Sequence, residues 1–159
     1  MLSSNPNTSQ VGGSHYQSKF QHWDLVNTVL HGRYLEGCVT KYMRWRKKNG
    51  VEDLKKAIHY IEKIISLYAG PEKIEDSWLR GIYLLWKPKY PAMLDLHIKE
   101  TPLITLSAIH AYATTWAKHN DVGEIEGHIV FLMASWRGTP DLQEAIDLIH
   151  QLIQEAESK

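Results

Sequence analysis

The apolar residues Leu54, Ala57, Ile58, Ile61, Ile64, Ile65 and Tyr68 recur 88 residues later as Leu142, Ala145, Ile146, Ile149, Leu152, Ile153 and Ala156. Each set steps by three or four, the period of a helix that buries one face. Helical periodicity alone reproduces such a stripe, but not its surroundings. Asp53 answers Asp141 under the same shift, and upstream Glu36-Gly37, Met43 and Trp45-Arg46 answer Glu126-Gly127, Met133 and Trp136-Arg137 in the same order. An amphipathic unit of this size must bury its stripe against something. The expected fold is therefore all-α: two similar three-helix units from an internal duplication, joined by a helical connector and packed as a pseudo-dimeric bundle. The two stripes should face a shared core. One unit buries little surface alone, so homo-oligomerisation is expected as well.

Within that frame the chain divides into a flexible N-terminal tail (1–13), a first repeat (14–70), a connector (71–100) and a second repeat (101–159). The tail is polar and rich in Ser, Asn and Gly. The first repeat predicts a short helix from Asp24 to Leu30 with Trp23 as its apolar anchor. A second helix runs from Leu35 to Lys48 and is ended by Asn49-Gly50, and a third runs from Glu52 to Tyr68. In the connector, Glu72 to Trp86 has a helical pattern and Pro88 and Pro91 break it. Leu94 to Ile98 alternates like a strand but has no partner strand, and reads as a short helix or an extended connector. Thr101-Pro102 and Thr139-Pro140 each pair an N-cap residue with a proline suited to a first helical turn, with a further helix from Glu124 to Trp136 between them.

Composition narrows the setting. With 43% hydrophobic residues in 159, the chain can build a core, and its one cysteine, Cys38, excludes an intramolecular disulfide. No apolar run approaches the roughly 20 residues that span a bilayer, and the start lacks a secretory pattern. A cytoplasmic protein without a membrane partner is expected. The zero net charge hides an asymmetry: residues 1–70 carry ten Lys and Arg against five Asp and Glu, and residues 71–159 carry eight against thirteen. An anionic ligand should prefer the first half. Oppositely charged halves that attract one another are the plainer explanation.

The basic residues do not repeat. Lys41, Arg44, Arg46, Lys47, Lys48, Lys55 and Lys56 crowd the first repeat, whereas the second has Phe131-Leu132 near the position of Lys41-Tyr42, Gln143-Glu144 for Lys55-Lys56 and Asp147 for His59. On a continuous helix Lys41, Arg44 and Lys48 share one face. Lys55, Lys56 and His59 open the next helix just past the turn, which brings both groups to one end of a hairpin. Such cations suit phosphate oxygens, and Tyr42, Trp45 and Tyr60 offer flat surfaces for a base. The alternative is a solvated basic face on an ordinary hairpin. Chemistry that needs the cations belongs to the first repeat, and the second reads as structural.

Several enzyme classes find no support. There is no Walker loop, no GxSxG elbow and no setting for a cysteine nucleophile, and the nine histidines lack zinc-site spacing. Glu72/Glu75 and Glu144/Asp147 form the carboxylate pairs of helical nucleotide pyrophosphohydrolases, but in unrelated segments.

His15-Tyr16, His22-Trp23-Asp24 and above all the segment from Glu36 to Ile64, EGCVTKYMRWRKKNGVEDLKKAIHYIEKI, resemble the SaV-like family of small bacteriophage proteins of unknown function. That pattern is also similar to the C-terminal part of the bacteriophage T7 nucleotide kinase, which lacks a Walker loop. Cys38 stands where the family more often has Asn. The resemblance covers residues 14–68 and implies that His15, Tyr16, Lys41, Tyr42, Arg44, Lys48, Asp53 and Lys56 form a ligand site, with His59 beside them in the basic hairpin. It implies a phage accessory protein of the host cytoplasm that binds a phosphorylated or cyclic nucleotide, for instance to sequester a host-defence signal. The alternative is a nucleoside monophosphate kinase using ATP and Mg²⁺, with Glu52 and Asp53 the nearest candidates for the metal. A nucleic-acid-binding or scaffold role is the third reading. The neutral net charge and acidic second half argue against extended nucleic acid.

Overall fold

The computed structural model describes residues 21–69, 77–78 and 103–158, and among these it is all-helical, without a strand. Six α-helices are labelled here: α1 (His22–Asn27), α2 (Tyr34–Lys41), α3 (Val51–Ala69), α4 (Leu103–His119), α5 (Glu124–Ser135) and α6 (Thr139–Glu157). The tail, His15, Tyr16 and the Thr101-Pro102 cap lie outside the described residues, as does the connector except Ser77 and Trp78, which are helical and exposed.

The two apolar stripes meet. Leu54, Ala57, Ile61 and Ile64 of α3 are buried in one core with Leu142, Ala145, Ile149 and Leu152 of α6, and the two helices pack on each other. Each stripe lies along one side of its helix, so burying it leaves the charged side in water. Asp53 and Asp141 fix the starts of these helices in the same way. The Asp53 carboxylate accepts the Asn49 backbone N–H at 3.2 Å, and that of Asp141 accepts the Arg137 N–H at 2.9 Å. A carboxylate in the first turn also complements the helix dipole.

Upstream, close helix approach rests on glycine in both halves. A methyl group on Gly37 of α2 would meet Val26 Cγ2 of α1 at 3.3 Å, and one on Gly127 of α5 would meet Ala117 Cβ of α4 at 3.2 Å. The halves are then tied crosswise through two buried carboxylates. Trp45 Nε1 donates to Glu126 Oε2 at 3.3 Å, and Trp136 Nε1 donates to Glu36 Oε2 at 3.0 Å. Glu36 and Glu126 are each only 1% exposed, which requires that they be paired. Arg33 supplies the cation for Glu36 at 3.0 Å, while Arg46 approaches Glu126 at 3.4 Å. Arg33 also donates to the carbonyls of Met133 and Ala134, both at 3.1 Å, closing the C-terminal end of α5.

The expected helix from Leu35 to Lys48 is not continuous. The α-helix stops at Lys41, and Tyr42–Lys47 winds as a 3₁₀ segment with a break at Arg44 (φ −89°, ψ 25°). The cause lies in the core. Met43 and Trp45 are both buried, and a regular helix advancing roughly 100° per residue turns residues two apart toward opposite sides. In the second half, Met133 and Trp136 are three apart, and α5 runs regularly to Ser135 before Trp136 turns extended. The chain then leaves the 3₁₀ segment through Lys48, Asn49 and Gly50, with Gly50 at φ +66°, the left-handed turn expected of it.

Candidate functional site

The broken helix and the loop after it form one wall of a cavity of about 560 Å³, within the size range of small-molecule sites. Lys41 ends α2, Tyr42 and Arg44 come from the 3₁₀ segment, Lys48 and Asn49 from the loop, and Asp53 and Lys56 from the first turns of α3. The rest of the lining comes from Gln21 and the start of α1, with His22 and Trp23, and from Trp116 near the end of α4 with Asn120 just past it. Four cations thus stand on one wall, together with a single carboxylate. That carboxylate is committed: Asp53 is 3% exposed and holds Asn49 through the backbone N–H and through Nδ2 at 3.5 Å. The wall is strongly positive and the start of α3 adds the helix dipole to it.

Two of the residues that line this cavity carry a buried hydrogen-bond donor without a partner. Arg44 Nε and Trp116 Nε1 are both buried and make no hydrogen bond. Such orphans are rare, since a buried unpaired donor costs about 1–3 kcal/mol. Neither group can accept, so each can be satisfied only by an acceptor.

His22 links α2 to α4. Its Nε2 is 2.8 Å from Thr40 Oγ1 and its ring meets that of Trp116 edge-on, with centroids 6.4 Å apart. Burial holds its pKa below the ordinary imidazole value of 6.5. The Lys41 charge pushes the same way, against an opposing hydrogen bond to the Gly37 backbone. Tyr42 stacks on Tyr60 with centroids 6.1 Å apart, and Lys41 Nζ lies 5.9 Å from the Tyr42 centroid.

Of the residues singled out in the sequence, Lys41, Tyr42, Arg44, Lys48, Asp53 and Lys56 line this one cavity. They arrive there by the 3₁₀ turn and the loop, not along one helical face. His59 does not line it; it is exposed on α3 with its ring edge-on to Tyr60. Trp45 offers no surface to a base, because it is buried, bonded to Glu126 and covered by Arg46 at 4.3 Å from its ring. Glu52 and Asp53 do not act as a pair: Glu52 is exposed and 3.8 Å from Lys56, whereas Asp53 is buried. Among the described residues, no group of three or more His, Cys, Asp and Glu is placed to hold a metal ion.

The sequence reading missed Gln21, Asn49, Trp116 and Asn120 as lining residues. It placed His22 only within a resembling segment and took Trp23 for an apolar anchor, whereas Trp23 is 47% exposed. Trp116 and Asn120 also show that the second half contributes to the cavity and is not scaffold alone. No local signal marks them, since Trp116 lies in an apolar helix distant in sequence and Asn120 just follows it. Among the described residues, no helix is long and apolar enough to cross a membrane. Comparison with family models, curated proteins and solved structures gave no match to this chain.

Proposed function

We propose that this chain is a phage accessory protein that captures a phosphorylated nucleotide in the cavity between the 3₁₀ segment and α4. The observation that carries the reading is the meeting of Lys41, Arg44, Lys48 and Lys56 in the lining of one cavity. Phosphate oxygens satisfy a guanidinium and lysines at once, and charge-assisted bonds of this kind are about twice as strong as neutral ones. Tyr42 and Trp23 add flat faces against which a base can stack. Sequestration of a nucleotide signal in the host cytoplasm requires nothing more than this.

The internal duplication and its pseudo-dimeric packing belong to the same proposal. They are supported by the crosswise bonds of Trp45 to Glu126 and Trp136 to Glu36, in which corresponding residues exchange roles as across a two-fold axis.

A nucleotide kinase without a Walker loop is the second reading, favoured by the resemblance of the basic hairpin to the phage kinase. Positioning and charge neutralisation supply most of phosphoryl transfer, and the four cations suit that role. The reading also asks for Mg²⁺ ligands, and the nearest carboxylate, Asp53, is spent on the start of α3.

The test is incubation of the full chain with ribonucleoside mono-, di- and triphosphates and cyclic dinucleotides, with and without Mg²⁺ and ATP. Tight one-to-one binding with intact nucleotide recovered after denaturation is the expected result. Conversion of a monophosphate to its diphosphate replaces capture by kinase activity. Affinity that grows with DNA or RNA length and falls steeply with salt replaces both by nucleic-acid binding.

A further inference from the structure

The five cations between positions 41 and 48 are sorted by what neutralises them. Arg46 and Lys47 reach across to the second half, where Glu126 and Asp121 accept them at 3.4 Å and 2.8 Å. Lys41, Arg44 and Lys48 line the cavity instead, and among the described residues none of the three has an ion-pair partner. Attraction between oppositely charged halves therefore accounts for two of these cations and leaves three. With Lys56 the lining holds four cations against one carboxylate, Asp53, and His22 adds no charge at neutral pH because burial lowers its pKa. The lining thus has a surplus of three positive charges. The surplus does not depend on where each flexible side chain points, because the field extends about 8 Å at physiological salt and a cleft concentrates it.

A ligand that cancels this surplus carries at least three negative charges. A nucleoside monophosphate carries about two at neutral pH, a cyclic dinucleotide also about two, and each further phosphate of a linear chain adds about one. We propose that the cavity takes a linear nucleoside di- or triphosphate in preference to monophosphates and cyclic dinucleotides, its polyphosphate chain neutralising Lys41, Arg44 and Lys48. This rests on the nucleotide reading and adds to it the class of nucleotide. Coulomb attraction scales with the charge of the ligand, so each cation removed costs a triphosphate more than a monophosphate.

The experiment titrates wild type and Lys48→Gln calorimetrically with ribonucleoside mono-, di- and triphosphates, cyclic dinucleotides and inorganic tripolyphosphate. The buffer holds a chelator, since Mg²⁺ would itself neutralise the phosphates. In wild type, affinity should rise about tenfold with each added phosphate of the tightest nucleoside, and cyclic dinucleotides should bind no better than the monophosphate. Lys48, exposed on the loop, can be changed without disturbing the core. Lys48→Gln should weaken the triphosphate about tenfold and the monophosphate about threefold. Should Lys48→Gln fail to fold, as judged by circular dichroism, the wild-type series alone carries the test. Equal affinity for mono-, di- and triphosphate, a cyclic dinucleotide that binds tighter than the triphosphate, or equal losses in Lys48→Gln overturns the charge matching while nucleotide binding stands. Wild type that binds tripolyphosphate as tightly as any nucleotide, or binds none of these probes, overturns both.

Discussion

The first half gathers cations around a cavity where the second half packs rings together and pairs His128 with Glu144. Around Phe131, which stands near the position of Lys41 in the repeat, the rings of His110 and His128 lie 5.4 Å and 6.1 Å away. His128 reaches Glu144, which replaces Lys56, at 3.2 Å. Across the same step of the first half stand four cations, a buried guanidinium nitrogen without a partner and a cavity. The backbone helps to explain the contrast. Six positions separate Trp45 from the start of α3, against three between Trp136 and the start of α6, and the added residues carry Lys48 and Asn49 to the cavity. Similar packing thus underlies two unlike surfaces, and loop length with side-chain charge accounts for the cations that line only one of them.

The packing plan is most sharply tested at its crosswise ties. Glu36→Ala should cost about 3 kcal/mol, because it strands Arg33 and the Trp136 indole in the interior. Glu126→Ala should cost about 2 kcal/mol, since its cation Arg46 is half exposed and only the Trp45 N–H is left buried and unpaired. Urea unfolding measures both, and a loss confined to one of them would break the correspondence between the halves.

The surfaces should differ where the ties agree. Arg44→Ala combined with Lys48→Ala should lower nucleotide affinity about 100-fold, from two lost charge-assisted bonds, with helicity and melting nearly unchanged. Ser135→Ala, at the matching end of α5, should leave calorimetric titrations as they are. Equal losses from the two halves would remove the distinction. A smaller effect separates the turns. Gly50→Ala should cost about 1 kcal/mol because φ is +66°, whereas Gly138, extended at φ −177°, should accept Ala within about 0.5 kcal/mol.

The smallest expected effect is a tilt with pH. His22 precedes Val26 by four residues, as the buried Ala113 precedes Ala117, so an imidazole in one half answers a methyl group in the other. The folded value of His22 lies below 6.5, so the unfolded chain takes up the proton first and stability falls as pH drops through 6.5. Above that pH the contribution is constant. His22→Gln should flatten the melting temperature between pH 7 and 5, and an unchanged slope would show that His22 is not the source.

Much of the fold can be read directly from residue spacing. The stripes of α3 and α6, the aspartates that start them and the left-handed Gly50 each follow from local rules of helix packing and termination. The break at Arg44 is visible only when the Met43–Trp45 interval is set against Met133–Trp136, because it arises from what two side chains must reach in the core. The cations on the basic wall are legible as a cluster of charge. Trp116 and Asn120 are not, since their part in the cavity depends on where the C-terminal end of α4 is packed. In sequence they are indistinguishable from a core tryptophan and a helix-end asparagine.

The crosswise ties also bear on how the chain acquires its structure during synthesis. Trp136 lies 100 residues beyond the Glu36 that it binds, and Glu126 lies 81 beyond Trp45. As the chain emerges from the ribosome, α1 and Arg33 are already present, but α2 and α3 precede the residues of the second half that cover them. The first unit can form its local turns and the Arg33–Glu36 pair, but the indole donor of Trp136 and the cover of its apolar stripe must wait for residues translated several seconds later at about 5–20 residues per second. Closing so wide a loop places the committing step of folding late, in the docking of the two halves, and makes the order of translation part of the route to the native state.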